Sequence, residues 1–143
     1  MQFDILTLFP ESMTSYLDAS IIGRAKSSKK ISVRLHNFRD HTTDKHHTVD
    51  DKPYGGGPGM ILKIEPLYRC LKKIRRKKKS RVVLLTPGGQ LFTQQVAERF
   101  AKLDQLILIC GHYEGFDHRI SKLVDEALSV GPYVLTGGEL PAM

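Results

Sequence analysis

The sequence predicts an α/β fold, with a mostly parallel sheet and helices on both of its faces. Residues 82–85 and 106–109 are wholly apolar, which is typical of strands that are buried on both faces. Between them, Thr93 is placed to cap an amphipathic helix that turns Val96 and Phe100 inward. A strand, a helix and a second strand in this order predict a right-handed crossover between two parallel neighbours.

Hydrophobic periodicity places the other elements of the fold. The apolar run at residues 3–9 predicts the first strand, with a helix directly after it. Residues 31–38 alternate between apolar and polar side chains, which predicts a half-buried second strand. Apolar residues recur at helical spacing over residues 64–77, so this segment is predicted to be an amphipathic helix. Asp117 is placed to cap one more short helix, and residues 127–130 predict the last strand.

Length and composition restrict the class of protein. A chain of 143 residues predicts one domain, covering residues 1–143. No segment approaches the roughly 20 apolar residues that span a bilayer, and the N-terminus lacks the basic lead and apolar run of a signal peptide. We therefore expect a cytoplasmic location, with Cys70 and Cys110 as reduced, packed thiols. The histidines fit no zinc spacing, so no metal site is predicted.

The positive charge of the chain is concentrated in one segment. The net charge is +7, from 22 basic and 15 acidic residues. Seven bases and no acid lie between positions 72 and 79: Lys72, Lys73, Arg75, Arg76, Lys77, Lys78 and Lys79. Without them the basic and acidic residues are equal in number. Such a cluster suits nucleic acid, but it equally suits a solvated helix end, where bases favour the negative pole of the dipole.

Residues 50–60 form the most unusual loop of the chain. Four glycines and two prolines follow two adjacent carboxylates there. Ordering such a loop costs about 1–2 kcal/mol per residue in backbone entropy, which a simple connector has no reason to incur. The composition predicts a loop whose backbone is approached closely by a ligand, with a mobile surface turn as the alternative.

Glycine also follows each of the three later predicted strands, in residues 86–89, 111–115 and 131–139. In parallel α/β sheets, ligands bind outside the carboxyl ends of the strands. We expect these glycines to leave space for one shared ligand, with Tyr113 and Tyr133 contributing to an apolar wall. Neither GxGxxG nor GxxxxGK[ST] is present, which argues against a Rossmann dinucleotide or a nucleoside triphosphate.

Five motifs together resemble those of the bacterial tRNA (guanine-N1)-methyltransferases, members of the SPOUT superfamily. The motifs are Phe9-Pro10-Glu11 and the segments at residues 22–25, 48–60, 111–115 and 133–143. The resemblance is collinear over the whole chain, and it implies a deep trefoil knot near the C-terminal end and a homodimer. It also implies S-adenosylmethionine as the methyl donor, a possible Mg²⁺ requirement, and methylation at N1 of the tRNA guanosine on the 3′ side of the anticodon.

Site residues are carried over from the resemblance motif by motif. The implied cofactor contacts are Leu84, Leu85, Thr86, Pro87, Gly88, Gly111, Tyr113, Glu114, Gly115, Val130, Gly131, Pro132, Tyr133, Val134, Leu135, Gly137, Gly138 and Pro141. The implied substrate and tRNA contacts are Arg24, His47, Asp50, Tyr54, Gly55, Gly56, Gly57 and Gly59. Leu84 and Pro132 depart from the tyrosine and aspartate that are frequent in the family at these positions.

The resemblance also implies that the family's general base and an adjacent arginine lie beyond Met143, together with a C-terminal RNA-binding domain. Residues 1–143 are therefore expected to bind the cofactor without turning over tRNA, with Glu114 as a candidate accessory acid. The residues alone leave two rivals open. One is a non-catalytic RNA-binding module that uses the basic cluster, and the other is an α/β domain that binds an unrelated nucleotide or anion.

Overall fold

The chain contains seven strands and five helices in the computed structural model, which describes residues 1–143. The strands are β1 (Gln2–Thr7), β2 (Ser32–Asn37), β3 (Asp50–Asp51), β4 (Ile61–Leu62), β5 (Ser80–Leu91), β6 (Gln105–Cys110) and β7 (Glu126–Ser129). The helices are α1 (Glu11–Leu17), α2 (Ser20–Ser27), α3 (Ile64–Lys73), α4 (Gln94–Phe100) and α5 (Glu139–Ala142). Two 3₁₀ turns cover Phe38–His41 and His118–Lys122.

Five strands form one parallel sheet in the order β2-β1-β6-β5-β7. This confirms the predicted α/β fold with a parallel sheet. The unit β5-α4-β6 joins two neighbouring strands, and the Thr93 hydroxyl accepts a hydrogen bond from Val96 N, as the sequence predicts. The short strands β3 and β4 form a separate antiparallel pair at the base of the glycine-rich loop.

The sheet is covered by a hydrophobic cluster on each face. Alternate strand residues point in opposite directions, so Val82 and Leu84 join one cluster while Val83 and Leu85 join the other. The first cluster packs under α3 and the 3₁₀ turn that contains Phe38. The second packs under α1 and α4. Burial on both faces explains why β5 and β6 carry continuous apolar runs rather than alternating ones.

Three elements differ from the sequence prediction. Helix α3 ends at Lys73 rather than at residue 77, because the backbone of Ile74 is extended. The Ile74 side chain is buried in the core, with 9% of its surface exposed. Strand β5 continues to Leu91. Its pairing with β7 is interrupted between Leu85 and Gln90, and the residues on both sides of this interruption pair with β7. The helical segment after β1 is divided in two, and Ser20 at the start of α2 has a φ of 48°.

The two cysteines are free and buried, which confirms their prediction as packed thiols. Burial raises the pKa of Cys70 to about 12 and also raises the pKa of Cys110. Both thiols therefore stay protonated and unreactive at neutral pH. No helix of the chain has the length and apolar character that crossing a membrane requires.

A buried carboxylate connects three strands at the amino-terminal edge of the sheet. Asp4 is 1% exposed and accepts hydrogen bonds from the amides of Gln2 at 2.6 Å and Gln105 at 2.7 Å. Its other oxygen lies 2.8 Å from His36 Nε2. Burial by itself raises the pKa of Asp4, but the hydrogen bonds from His36, Gln105 and Gln2 outweigh it, so the pKa is below its usual range.

We predict that Asp4→Asn lowers the free energy of unfolding at pH 7 by about 1–3 kcal/mol, because an amide cannot accept from every donor around it. A lowered native pKa means that the carboxylate stabilises the fold above the unfolded-state pKa of about 3.9, and that this stabilisation is lost as the pH falls through the native pKa. The difference from the parent should therefore shrink at pH 3. Urea unfolding at both pH values measures it.

Asp104→Asn is the matched control, since Asp104 is exposed and its carboxylate makes no hydrogen bond. It should change stability by less than about 0.5 kcal/mol. An equal loss for Asp4→Asn at pH 7 and pH 3 would contradict the role of the ionised carboxylate.

Candidate functional site

A cleft of about 290 Å³ opens beyond the ends of β6 and β7 and beside residues 85–87 of β5, where the register of β5 with β7 is interrupted. The volume lies near the lower end of the range for small-molecule sites, about 300–1,000 Å³. The cleft is lined by Leu85, Thr86, Pro87, residues 111–116, residues 128–131, residues 133–138 and Pro141. The three glycine-containing segments that follow the strands in sequence therefore meet at one site.

Three residues predicted for this site do not line the cleft. Leu84 is 8% exposed and belongs to the hydrophobic cluster on the opposite face from Leu85, because neighbouring strand residues alternate. Gly88 lies in open space, with no heavy atom within 4 Å of the position that a Cβ would take. Pro132 is exposed. The assignment of these three residues as cofactor contacts stays a prediction.

Five residues that line the cleft are absent from the list of implied contacts: His112, Phe116, Leu128, Ser129 and Thr136. His112 and Thr136 lie inside the motifs at residues 111–115 and 133–143, and Phe116 directly follows the first of these, so the motifs could have located all three. Leu128 and Ser129 end β7, and only the observed register between β5 and β7 brings them to the cleft.

A buried carboxylate holds the cleft loops together. Glu139 is 9% exposed, and one of its oxygens accepts a hydrogen bond from the Thr7 hydroxyl at 2.5 Å. Its other oxygen lies 3.0 Å from His112 Nε2. The Phe9 ring meets the edge of the His112 ring, with centroids 4.8 Å apart. Glu139 therefore ties the end of β1 and the start of α5 to the loop that follows β6.

Two glycines allow these loops to approach each other. Gly138 N donates to the Gly111 carbonyl at 2.9 Å, and a Cβ on Gly138 would lie 2.6 Å from Cys110 Cα. A Cβ on Gly111 would lie 2.6 Å from the Phe116 ring. The expected reason for these glycines was space for a ligand. The structure shows that local packing also requires them, and the space for a ligand stays a prediction.

The glycine-rich loop of residues 50–60 reaches the cleft only at its end. Glu114 N donates to the Met60 carbonyl at 3.0 Å, and Gly59 packs against the Glu114 side chain. Earlier in the loop, Tyr54 is 81% exposed. Positive φ angles, between 84° and 117°, occur at the four glycines Gly55, Gly56, Gly57 and Gly59.

None of the residues predicted to contact tRNA lines the cleft itself. Arg24 is exposed on α2, and His47 Nδ1 lies 2.9 Å from the Thr42 hydroxyl. Asp50 pairs with Leu62 in the small antiparallel sheet. Only the end of the glycine-rich loop, at Gly59, is placed directly beside the cleft.

Glu114 is the single carboxylate that lines the cleft, and its side chain is exposed. Nearby, a side-chain hydrogen bond from Arg119 lowers the pKa of Asp117. No group of three or more His, Cys, Asp or Glu side chains is arranged to hold a metal ion. The cleft thus offers backbone polar groups, apolar side chains and one free carboxylate.

A second, apolar groove of about 530 Å³ adjoins the cleft. Thirteen of its fourteen lining residues are hydrophobic. It shares six residues with the cleft: Leu85, Leu128, Val130, Tyr133, Leu135 and Pro141. Its rim includes Phe92, which is 44% exposed, and Leu140, which is 65% exposed. Exposed apolar surface of this kind is typical of an interaction site.

Comparison with known proteins identifies the family. The family described as tRNA (guanine-1)-methyltransferase TrmD matches residues 1–143. The chain belongs to the TrmD family. The tRNA (guanine-N(1)-)-methyltransferases of Chloroflexus aggregans, Dictyoglomus turgidum and Brevibacillus brevis are 53%, 47% and 51% identical to it over its full length.

This TrmD-family chain spans 57–59% of the length of those three relatives. The resemblance that the motifs suggested is thereby confirmed, and so is a methyltransferase of tRNA as the class of protein to which the chain is related.

We predict that Gly138→Ala destabilises this TrmD-family domain by about 1–3 kcal/mol, because the added methyl group overpacks against the Cys110 backbone. Gly88→Ala is the matched control, since open space surrounds Gly88 and its φ is not positive. It should leave stability nearly unchanged. Thermal unfolding of both variants provides the measurement, and equal melting temperatures would contradict the tight loop contact.

Proposed function

We propose that this chain provides the S-adenosylmethionine-binding part of a tRNA (guanine-N1)-methyltransferase. The observation that carries the proposal is the cleft beside residues 85–87 of β5 and the ends of β6 and β7, which is lined by the three segments that the family motifs assign to the cofactor. Nearly all of the residues in those motifs lie on its walls. The names of the relatives support tRNA as the substrate.

The lining of the cleft fits this cofactor chemically. Backbone N–H and C=O groups of residues 111–115 and 131–138 are suited to hydrogen bonds with an adenine edge and a ribose. Tyr133, Val134 and Leu135 offer an apolar wall, and Val134 is 84% exposed and free to cover a ligand. When bound, S-adenosylmethionine supplies an electrophilic methyl group on a sulfonium sulfur.

The family resemblance extends the fold to a SPOUT-type trefoil knot, which we include in the proposal. Two features support it. Strand β5 pairs with β7 on both sides of its interrupted register, so residues 86–89 project as a loop beside β7. The chain then returns from β7 to β6, where Gly138 N bonds to the Gly111 carbonyl. A knot requires that a returning segment of this kind thread through a projecting loop.

The target guanine is proposed to enter between the cleft and the glycine-rich loop. Glu114 and Gly59 are in contact at this boundary, and both are exposed. The other tRNA contacts implied by the family would then act on the RNA around the base; they are Arg24, His47, Asp50, Tyr54, Gly55, Gly56 and Gly57. Fixing two reactants in a reactive geometry contributes on the order of 7–11 kcal/mol to lowering a barrier.

Methylation at guanine N1 also requires removal of the N1 proton by a general base. Glu139 is engaged with Thr7 and His112, so Glu114 is the carboxylate of the cleft that is free to take part. We propose Glu114 as an accessory acidic residue, whose carboxylate orients the guanine by accepting a hydrogen bond from it. The general base itself is proposed to lie outside residues 1–143.

The Mg²⁺ that the resemblance admits does not fit these residues. No cluster of three or more potential ligands is present, and Glu114 stands alone in the cleft. The roles proposed for residues 1–143 are therefore derived without a metal ion.

A homodimer and a cytoplasmic location complete the proposal. The apolar groove beside the cleft supports self-association, because it leaves Phe92, Tyr133 and Leu140 exposed. The groove shares residues with the cleft, so covering it would also stabilise the cofactor loops.

We predict that S-adenosylhomocysteine binds the chain and stabilises it by about 2.7 kcal/mol at a ligand concentration of 100 times Kd. Calorimetry with S-adenosylmethionine, S-adenosylhomocysteine, ATP and NAD tests the assignment. ATP and NAD are the controls and should give no heat of binding. Preference for ATP or NAD would favour the rival nucleotide-binding domain, and RNA binding without any cofactor binding would favour the RNA-binding module.

We predict that residues 1–143 alone transfer no methyl group from radiolabelled S-adenosylmethionine to tRNA above background, because none of these residues is assigned as the general base. Within a catalytically active full-length relative, the equivalent of Glu114→Gln should raise KM for tRNA more than it lowers kcat, since an amide still bonds the guanine. Clear turnover by residues 1–143 that disappears in Glu114→Gln would instead make Glu114 the base.

A further inference from the structure

The edge of the sheet opposite the cleft carries most of the excess positive charge. In a parallel sheet, the segments that precede the strands share one edge. Lys29 and Lys30 precede β2, residues 74–79 precede β5, and Lys102 precedes β6. The basic residues at this edge are exposed. The distance from Ser80 to Leu85 along β5 is roughly 17 Å at a rise of about 3.3 Å per residue, so this edge is well separated from the cleft.

The basic segment before β5 is held rigidly although it is neither helix nor strand. Gln105 is fully buried, and its side-chain oxygen accepts a hydrogen bond from Lys77 N at 2.8 Å. Its amide nitrogen donates to Asp4 at 2.7 Å and to the Arg75 carbonyl at 3.4 Å. The Lys79 carbonyl accepts from Asp104 N at 2.9 Å. The buried Asp4–Gln105 pair thus fixes the backbone while the charged side chains remain in solvent.

Most of these charges are not neutralised by the protein. Within this segment, Arg76 pairs with Asp125 at 2.9 Å. No carboxylate lies within 4 Å of the other four basic side chains: Arg75, Lys77, Lys78 and Lys79. Asp104, which lies next to Gln105 in sequence, is exposed and forms no ion pair. A surface of unpaired, closely spaced cations on a fixed backbone is suited to a polymer of phosphates.

We propose that Arg75, Lys77, Lys78 and Lys79 form a second RNA-contact surface that binds the phosphate backbone away from the reacting guanine. We refer to these four residues as the basic edge. It contains no aromatic side chain on which a base could stack, so it contacts RNA without reading its sequence. The inference rests on the proposed function, since it takes tRNA as the substrate.

The position of the basic edge predicts that the two edges of the sheet have different binding roles. The cleft would hold the cofactor and the target base, while the basic edge would hold a different part of the same RNA. The basic edge then contributes to RNA affinity and to its salt dependence, and it leaves cofactor affinity unchanged.

The test uses two quadruple variants of the chain. The first, Arg75→Gln with Lys77→Gln, Lys78→Gln and Lys79→Gln, removes the four charges. The matched control, Arg75→Lys with Lys77→Arg, Lys78→Arg and Lys79→Arg, keeps them. Fluorescence anisotropy with tRNA over a salt series gives the slope of log K against log salt. We expect the slope to fall in magnitude by about 0.7–0.9 for each phosphate that the protein no longer neutralises, hence by about 3 in the first variant and not at all in the control.

Calorimetry with S-adenosylhomocysteine accompanies each RNA measurement. Unchanged cofactor affinity in both variants, together with the reduced slope in the first alone, supports the inference. An unchanged slope in the first variant overturns it, and so does loss of cofactor affinity in a variant that melts like the parent. If the first variant is unstable, Lys78→Gln with Lys79→Gln should give about half the change in slope.

Two further outcomes separate this inference from its rivals. Binding of phosphatidylserine vesicles through the basic edge, without binding of tRNA, would overturn it. Failure of the parent chain to bind S-adenosylhomocysteine would contradict the proposed function instead, whatever the RNA measurements give.

Discussion

The parallel direction of the five sheet strands is the constraint on which the rest of the structure depends. Parallel strands need crossover connections, so helices cover both faces and the strands become continuous apolar runs. The same constraint collects every strand's carboxyl end at one edge and every amino end at the other. One edge becomes a cleft lined by glycine-containing loops, and the other collects lysines and arginines.

Each edge of the sheet is fixed by a buried carboxylate. At the carboxyl end, Glu139 joins Thr7 to His112 and so fixes two of the loops that line the cleft. At the amino end, Asp4 joins Gln2 to Gln105, and Gln105 in turn holds the basic segment. A buried charge is retained only where hydrogen bonds compensate for the loss of water, and here every buried side-chain polar atom has a partner.

The sequence predicted the parts of the molecule that depend on local patterns. The apolar runs located β5 and β6, and Thr93 located the start of α4, because burial and capping act within a few residues. The predicted end of α3 was wrong. The backbone after Lys73 makes hydrogen bonds to the side chain of Gln105, some 30 positions away, instead of helical ones. For the candidate site, the glycine motifs indicated the loops that line the cleft. The contact between Thr7 and Glu139 joins residues 132 positions apart and leaves no local signal.

The glycine-rich loop excludes other residues by the handedness of its backbone and not by the size of their side chains. Gly55, Gly56 and Gly57 have φ angles of 88°, 84° and 117°, yet a methyl group at any of them would meet no other atom within 4 Å. Nothing around these positions excludes a side chain, and only the chirality of L-amino acids does. D-alanine would occupy the same backbone conformation without strain. Among the ordinary amino acids, these positions therefore favour glycine, which is achiral. The shape of the loop depends on the backbone conformation of three residues that make almost no contacts.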